Sequence, residues 1–197
     1  EDGSQILVIA SQVAMGLSLA ACAGLRAFLP LFVVGLAGRL DWVPLTSHFE
    51  WLEATPALIV FGVAVAAELL ADKVPWLDNA LDALQSFVKP IAGVISAAAV
   101  LEGLTPLQRV VLAIVLGGGA ASVVHFSKAH LRLLSTVTTG GLANPAISAV
   151  EDTGAGGLAI AAIWAPLVAL AAIVLLAILT VWFLHKRRAG WRPLRPA

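Results

Sequence analysis

One uninterrupted run of apolar and small residues constrains this chain more than any other feature. Residues 154–184 cover 31 positions without a charged side chain. As one helix, at 1.5 Å per residue, the run would be about 46 Å long, more than the roughly 30 Å hydrocarbon core of a bilayer. The run therefore predicts a membrane-spanning helix that is tilted, is kinked at Pro166, or begins outside the bilayer at its glycine-rich start.

The composition of the whole chain agrees with a membrane protein. Hydrophobic residues make up 60% of the 197 positions and charged residues only 12%, against about 25% charged residues in soluble domains. Polar side chains are thus too few to cover a soluble surface. This excludes a soluble enzyme, a nucleic-acid binder and a disordered protein. Cys22 is the only cysteine, so a disulfide scaffold is excluded as well.

The remaining apolar runs fall into two kinds. Three runs are free of breaks and indicate further spans: residues 5–23, 55–71 and 107–126. Three others are short or interrupted by Arg, Gly or Pro, which indicates discontinuous or re-entrant helices: residues 25–40, 90–103 and 131–150. We therefore predict an all-α polytopic membrane protein, a single domain with about five transmembrane helices plus two broken or re-entrant segments.

An internal repeat relates the two larger broken segments. A shift of 106 positions aligns residues 23–38 with residues 129–144 without gaps, and six of the sixteen pairs are identical. The pair Arg26 and Arg132 is the informative one, because charge is rare in this chain. We predict a first repeat over about residues 5–76 and a second over about residues 107–184, inverted if the linker between them crosses the membrane once.

The linker, about residues 77–103, has two faces. Its polar stripe comprises Asp78, Asp82, Gln85 and Lys89. One interpretation is a crossing helix, kinked at Pro90, with this stripe facing the protein interior; the other is an amphipathic surface helix followed by a short span. The crossing would place the N-terminus outside and the basic tail, residues 185–197, in the cytoplasm, as the positive-inside rule also predicts.

Charged residues within apolar sequence are candidate functional groups, because charge in a bilayer is unfavourable unless it is paired or solvated. Arg26 and Arg132 either face a shared cavity and bind a carboxylate or phosphate, or they are interfacial residues or internal partners of Glu68 and Glu151. Trp164, also inside an apolar run, predicts packing between helices, whereas Trp42 and Trp51 lie near proposed helix ends, as in an aromatic belt.

The acids have similar alternatives. Glu68 and Asp72 share a helix face, so one carboxylate of the pair could carry a proton, or both could bind a cation. The other interpretation is a membrane-exit cap in which Lys73, with Asp78 nearby, neutralises Asp72. For Glu151 and Asp152 we expect one inward-facing side chain, or a cap of the last span.

The second broken segment is rich in polar groups. Thr138, Thr139 and Asn144 could coordinate an ion or a solute, or could satisfy the broken helix itself. No metal-binding pattern, nucleophile motif or cofactor fingerprint is present, so we predict no metal and no cofactor.

Three strings resemble a bacterial integral-membrane family catalogued only as a domain of unknown function: GLRAFLPLF at 24–32, ADKVPWLD at 71–78, and TTGGLANP at 138–145 followed by Glu151 and Asp152. The resemblance covers roughly residues 10–185. It implies a multi-pass protein of the bacterial inner membrane and brings no established activity.

These features together predict a small membrane transporter or channel. Its solute would be small and anionic, with a proton or cation coupled through the buried acids. The predicted partners are the lipid bilayer, the solute or ion, and a second copy of the chain, since five short crossings make a thin wall. A membrane enzyme acting on a lipid, or a structural or accessory membrane protein, is the alternative.

Overall fold

The computed structural model describes residues 2–71, 75–140 and 142–190, without the side chains of residues 2, 75–83, 183–184 and 187–190. Asp72 and Lys73 lie outside these ranges, as do the side chain of Asp78 and the tail from residue 191 onward. Within the described ranges every regular element is helical, so the all-α prediction is confirmed.

The helices follow one another with short connections. They are α1 (Asp2–Leu25), α2 (Leu29–Arg39), a 3-10 helix (Ser47–Glu53), α3 (Thr55–Ala71), α4 (Pro75–Val100), α5 (Pro106–Leu112), a π-helical segment (Ala113–Gly118), α6 (Gly119–Thr139), α7 (Asn144–Trp164) and α8 (Pro166–Gly190). Helix α5, the π-helical segment and α6 form one continuous helix of 34 residues.

The lengths and apolar character of these helices identify a membrane protein. Among the described residues, three helices are long and apolar enough to cross a bilayer: Gly3–Leu25, Pro106–Thr139 and Asn144–Trp164. The 3-10 helix and α3, bent by 65° relative to each other, would make a fourth as a single broken span. The count of five crossings stays a prediction.

Residues 154–184 do not form one continuous helix; the interruption falls at Pro166, where a kink was one of the predicted alternatives, and it divides the run between two helices. The chain leaves the helical conformation at Ala165, whose φ is −147° and ψ is 63°, and α8 starts anew at Pro166. Proline cannot donate the helical hydrogen bond, and it pushes the preceding residue out of the α region. Helix α7 instead begins at Asn144, ten residues before the predicted run.

This break also corrects the interpretation of Trp164. Because α7 ends there, the side chain is 66% exposed and is not packed between helices. Its ring lies 5.1 Å from the ring of Trp42, centroid to centroid. The two indoles therefore form part of an aromatic cluster at helix ends, the arrangement that suits a membrane interface.

The two predicted broken segments differ from each other. The first is interrupted after Leu25, where α1 ends and α2 begins at Leu29. The second stays helical to Thr139 and is interrupted between there and Asn144, where α7 begins; Gly140 has a φ of 63°, the left-handed conformation that commonly ends a helix. Arg26 therefore lies in a break and Arg132 within a helix. The inverted repeat stays a prediction.

Helix α4 shows that residues 90–103 are not a separate short segment. Pro90 lies inside α4, which runs without interruption to Val100. The polar stripe of the linker faces the interior at the two positions whose side chains are described, because Gln85 and Lys89 are both buried. For these positions the interior-facing interpretation is confirmed, and that of a surface helix is wrong.

Glycines bring α4 and the π-helical segment into backbone contact. A Cβ atom added to Gly117 would lie 2.7 Å from the carbonyl oxygen of Gly93, so only glycine fits this crossing. Of the three consecutive glycines at 117–119, Gly117 therefore makes the close contact, whereas Gly119 has open space beside it. The contact holds α4 against α6.

Candidate functional site

A layer of charged and polar side chains surrounds the break between α1 and α2. We call it the charged belt. Its members come from the break and from α3, α4, α6 and α7, and most of them are buried: Arg26, Glu68, Gln85, Ser86, Lys89, His125, Lys128, Arg132, Ser148, Glu151 and Asp152. Five of the residues predicted from sequence therefore lie in one layer: Arg26, Glu68, Arg132, Glu151 and Asp152.

The carboxylate of Glu68, a residue of α3, lies at the start of α2. Its Oε1 accepts hydrogen bonds from the backbone amide of Ala27 at 2.9 Å and from Nε2 of Gln85 at 2.8 Å, and its Oε2 accepts from the amide of Phe28 at 3.5 Å. Amides at the start of a helix lack partners within that helix and carry partial positive charge. Phe28 offers no side-chain cap, so the carboxylate of Glu68 supplies the acceptor from α3.

Arg26 and Asp152 form an ion pair between the break and α7. The guanidinium of Arg26 is buried, whereas the side chain of Asp152 is 29% exposed. A planar guanidinium on a carboxylate is the strongest type of hydrogen-bonded pair in proteins. This pair ties the beginning of the α1–α2 break to the middle of α7.

Glu151 binds two cations of α6. Its Oε2 lies 3.1 Å from Nζ of Lys128 and 3.3 Å from Nη2 of Arg132, and Arg132 also donates to Oγ of Ser148 at 3.3 Å. Arg132 thus has Glu151 as an internal partner, one of the alternatives that the sequence left open. The negative charge of Glu151 is therefore balanced by two buried cations, whereas the described contacts of the other acids of the belt include at most one.

The expectation that only one of Glu151 and Asp152 faces inward is wrong. Consecutive helical residues point about 100° apart, and here the two directions meet two different neighbours, α6 and the α1–α2 break. The alternative of a helix cap is wrong too, because α7 begins at Asn144, seven residues before Glu151.

Helix α6 contributes a polar face that sequence reasoning missed in part. His125, Lys128, Arg132 and Ser135 recur at intervals of three and four residues, and all are buried. The opposite side of α6 is exposed and apolar, with Phe126, Leu131, Leu133, Leu134 and Val137. The 3-4-3 spacing was the available signal for His125 and Lys128, because it places these residues on one helix face with Arg132.

His125 connects α6 to α4. Its Nδ1 lies 3.3 Å from Nζ of Lys89, and its Nε2 lies 3.1 Å from Oγ of Ser86. A charged lysine can only donate, so Nδ1 must accept and Nε2 must carry the proton. The imidazole then donates to Ser86 and is not free to take the proton of that hydroxyl, so this pair lacks the general base that an activated serine requires.

Thr138 and Thr139 lie at the C-terminal end of α6, and Asn144 is the first residue of α7. Thr138 donates to the carbonyl of Leu134 and Thr139 to that of Ser135, both at 2.7 Å, and Asn144 donates to Oγ1 of Thr136 at 3.3 Å. Both threonines are exposed. Their described bonds satisfy helix ends, and the structure does not bring them into the charged belt.

The depth of the belt follows from counting residues along the helices. Glu68 is 13 residues after Thr55, and Glu151 is 13 residues before Trp164, or about 20 Å along each helix at 1.5 Å per residue. From Asn144 to Glu151 the distance is seven residues, about 10 Å. Trp42 and Trp164 therefore mark the end of α7 that is farther from the belt. The belt itself lies well inside the length of α7, closer to Asn144.

Metal ligands are not grouped in this layer. Among the residues whose side chains the structure describes, no three of His, Cys, Asp and Glu are placed to hold a metal ion.

Comparison with known proteins identifies a family and no individual relative. The sequence model of a family described as "Domain of unknown function (DUF4126)" matches residues 13–186, which confirms the resemblance inferred from the three strings. Neither the curated proteins nor the solved structures contain a match.

Proposed function

We propose that this chain, which belongs to the DUF4126 family, is a small membrane transporter or channel for a small anionic solute, with a proton or cation coupled through its buried acids. One observation carries the proposal: a helix broken at the depth of a buried charged belt, with the amides of Ala27 and Phe28 turned toward it. Transporters place solute sites at discontinuous helices, where the starts of half-helices bind anionic groups.

The energetics of the belt support a functional role. On insertion scales, placing one charged side chain at the centre of a membrane-spanning helix costs about 2.5–3.5 kcal/mol. A protein needing only a stable bundle would form it more favourably from apolar side chains, because replacing a buried ion pair by packed hydrophobic residues is often neutral or stabilising. Burial of Arg26, Glu68, Lys89 and Glu151 is accordingly unusual for packing alone.

The start of α2 favours an anion. The amides of Ala27 and Phe28 both donate to a carboxylate there, and the first amides of a helix carry partial positive charge that stabilises negative groups. A small anionic solute would suit the same donors.

The arrangement of helix ends is consistent with five crossings in a bacterial inner membrane. The ring of Trp42 contacts that of Trp164 at a tilted angle of 52°, and the amide of Thr46 donates to the carbonyl of Ala99 at 3.0 Å. The ends of α2, α4 and α7 therefore meet on one side of the bundle. A basic tail after α8 would lie in the cytoplasm under the positive-inside rule. We retain the inverted repeat and the homodimer as parts of this proposal.

Anion flux in proteoliposomes tests the function. Purified wild-type protein should release small anions faster than empty liposomes do, and Arg26→Ala and Glu68→Gln should reduce that rate. Arg39→Ala is a matched control, since Arg39 is exposed and bonds Oγ1 of Thr55 outside the belt. If both belt variants transport at the wild-type rate, the proposal is wrong.

An accessory role is the second candidate, because Arg132, Lys128 and Glu151 form ion pairs that would also stabilise a bundle. A protein of that kind would show no flux, and would be purified from native membranes in a complex with another chain. A lipid-directed enzyme is less favoured, because the hydrogen-bond directions at His125 do not activate Ser86.

A further inference from the structure

We infer that Glu68 is the carboxylate that takes up the coupling proton, and that a small monovalent carboxylate solute replaces it on the amides of Ala27 and Phe28. The inference rests on the proposed transport function and deepens it by naming the substrate class and the residue that exchanges with the substrate. It follows from how the three carboxylates of the belt are held.

The three carboxylates differ in the charge of the groups that contact them. Glu151 binds Lys128 and Arg132 directly, and Asp152 binds Arg26. The described hydrogen bonds to Glu68 all come from uncharged donors, two backbone amides and Gln85. Protonating Glu151 or Asp152 would break a described ion pair of a buried cation, which is unfavourable. Protonating Glu68 breaks no described ion pair.

The other charged groups act on Glu68 from a longer distance. Arg26, at the start of the break, and Lys89, on α4, exert a favourable electrostatic effect on its carboxylate. On α6, His125 faces Lys89, and on α7, Asp152 faces Arg26. When Glu68 is neutral, these cations remain, so the position becomes more favourable for an anion from outside.

Protonation changes what Glu68 can accept. A carboxylate offers about four acceptor positions and no donor, whereas the protonated acid has a hydroxyl that donates. The protonated acid can still accept hydrogen bonds, but without a charge, so the amides of Ala27 and Phe28 exchange a charge-assisted hydrogen bond for a weaker one between neutral groups. An anion that offers these amides a charged acceptor is therefore bound preferentially.

The donors around Glu68 already hold a carboxylate group. One oxygen lies 2.9 Å from the amide nitrogen of Ala27 and 2.8 Å from Gln85, and the other lies 3.5 Å from the amide nitrogen of Phe28. An exchange of one carboxylate for another keeps the same donors in use. The solute brings one negative charge and the proton neutralises one, so the charge of the belt is unchanged and the two would move together without net charge.

Chemical rescue by formate tests this exchange on the purified full-length chain in detergent. Glu68→Ala removes the internal carboxylate, and formate is small enough to replace it. At neutral pH, formate should raise the thermal midpoint of Glu68→Ala in proportion to the logarithm of its concentration, and should have little effect on wild type or on Glu50→Ala, the control at an exposed position. As the pH is lowered, wild type and Glu50→Ala should both acquire the response. Equal responses in all three proteins at every pH would overturn the inference.

Glu68→Gln covers the case in which Glu68→Ala does not fold. Glutamine keeps the size of the side chain without a titratable proton, so its response to formate should not depend on pH. A response that follows pH as in wild type would contradict the role of Glu68. Formate binding without anion flux in proteoliposomes would overturn the transport function alone, whereas flux without Glu68-dependent binding would overturn only this inference.

Discussion

The carboxylate of Glu68 accepts a hydrogen bond from the backbone amide of Ala27 at 2.9 Å, although the two residues lie 41 positions apart in the chain. An acid inside α3 thus closes the open start of α2. The same layer contains the ion pairs of Arg26 and Glu151. A broken backbone and buried charges therefore stabilise each other, and changing either should affect the other.

Removing the charge of Glu151 should destabilise the protein. Glu151→Gln leaves Lys128 and Arg132 buried without their shared carboxylate, and breaking a buried pair in this way reduces the free energy of unfolding by roughly 3–5 kcal/mol. Denaturant unfolding in detergent micelles measures the loss. Glu50→Gln, at an exposed position, is the control and should change stability by less than about 0.5 kcal/mol. Equal stability of both variants would show that the ion pairs at Glu151 contribute nothing.

Two substitutions of His125 should separate its two hydrogen bonds. Asparagine places its amide near the position of Nδ1 and keeps an acceptor for Lys89, whereas glutamine reaches the position of Nε2 and keeps the bond to Ser86. Loss of a bond to a charged group is the more costly, at about 1.5–3 kcal/mol. We expect His125→Asn to unfold at a higher temperature than His125→Gln. The reverse order would contradict the assigned proton on Nε2.

The contact between α4 and the π-helical segment should be sensitive to one methyl group. Gly117→Ala would place a Cβ 2.7 Å from the carbonyl oxygen of Gly93, and overpacking of this kind lowers stability by about 1–3 kcal/mol. Gly119→Ala meets nothing within 4 Å, and should be neutral or stabilising because alanine favours a helix by about 1 kcal/mol. Thermal unfolding of both variants measures the difference. A loss of stability in Gly119→Ala equal to that in Gly117→Ala would contradict the packing argument.

The sequence alone predicted the helical class and named several of the charged groups that form the belt. The start of α3 and the approximate extent of α1 follow from apolar runs, and the polar stripe of α4 correctly placed Gln85 and Lys89 in the interior. Periodicity is local, so these features need no knowledge of neighbouring helices.

The partners of those charges could not be predicted in the same way. Arg26 and Asp152 are 126 positions apart, and only the packing of α1 against α7 brings them together. The sequence did not predict that a helix ends at Ala165. A proline within a long apolar run can either kink a helix or end it, and tertiary contacts decide between the two. At this position the helix ends, and Trp42 meets Trp164 there.

The side on which each helix end lies can be tested by thiol labelling in intact cells. Cys22 is buried and bonds the carbonyl of Ala155, so a Cys22→Ala background would remove the only native thiol. Five crossings with the N-terminus outside predict that Leu142→Cys, between α6 and α7, reacts with a membrane-impermeant maleimide from outside. Ser47→Cys, at the start of the 3-10 helix, and His185→Cys should react only after the membrane is opened; all three positions are exposed. Labelling of Ser47→Cys and Leu142→Cys from the same side would contradict five crossings.

Uptake driven by a pH gradient tests the central claim most directly. Proteoliposomes with their membrane potential clamped at zero would receive labelled lactate from an acidic external medium. The account predicts that wild-type protein accumulates lactate faster than empty liposomes do, and that Glu68→Gln still exchanges lactate across the membrane but no longer accumulates it. Wild-type accumulation no faster than in empty liposomes, or equal accumulation by Glu68→Gln, would contradict the account.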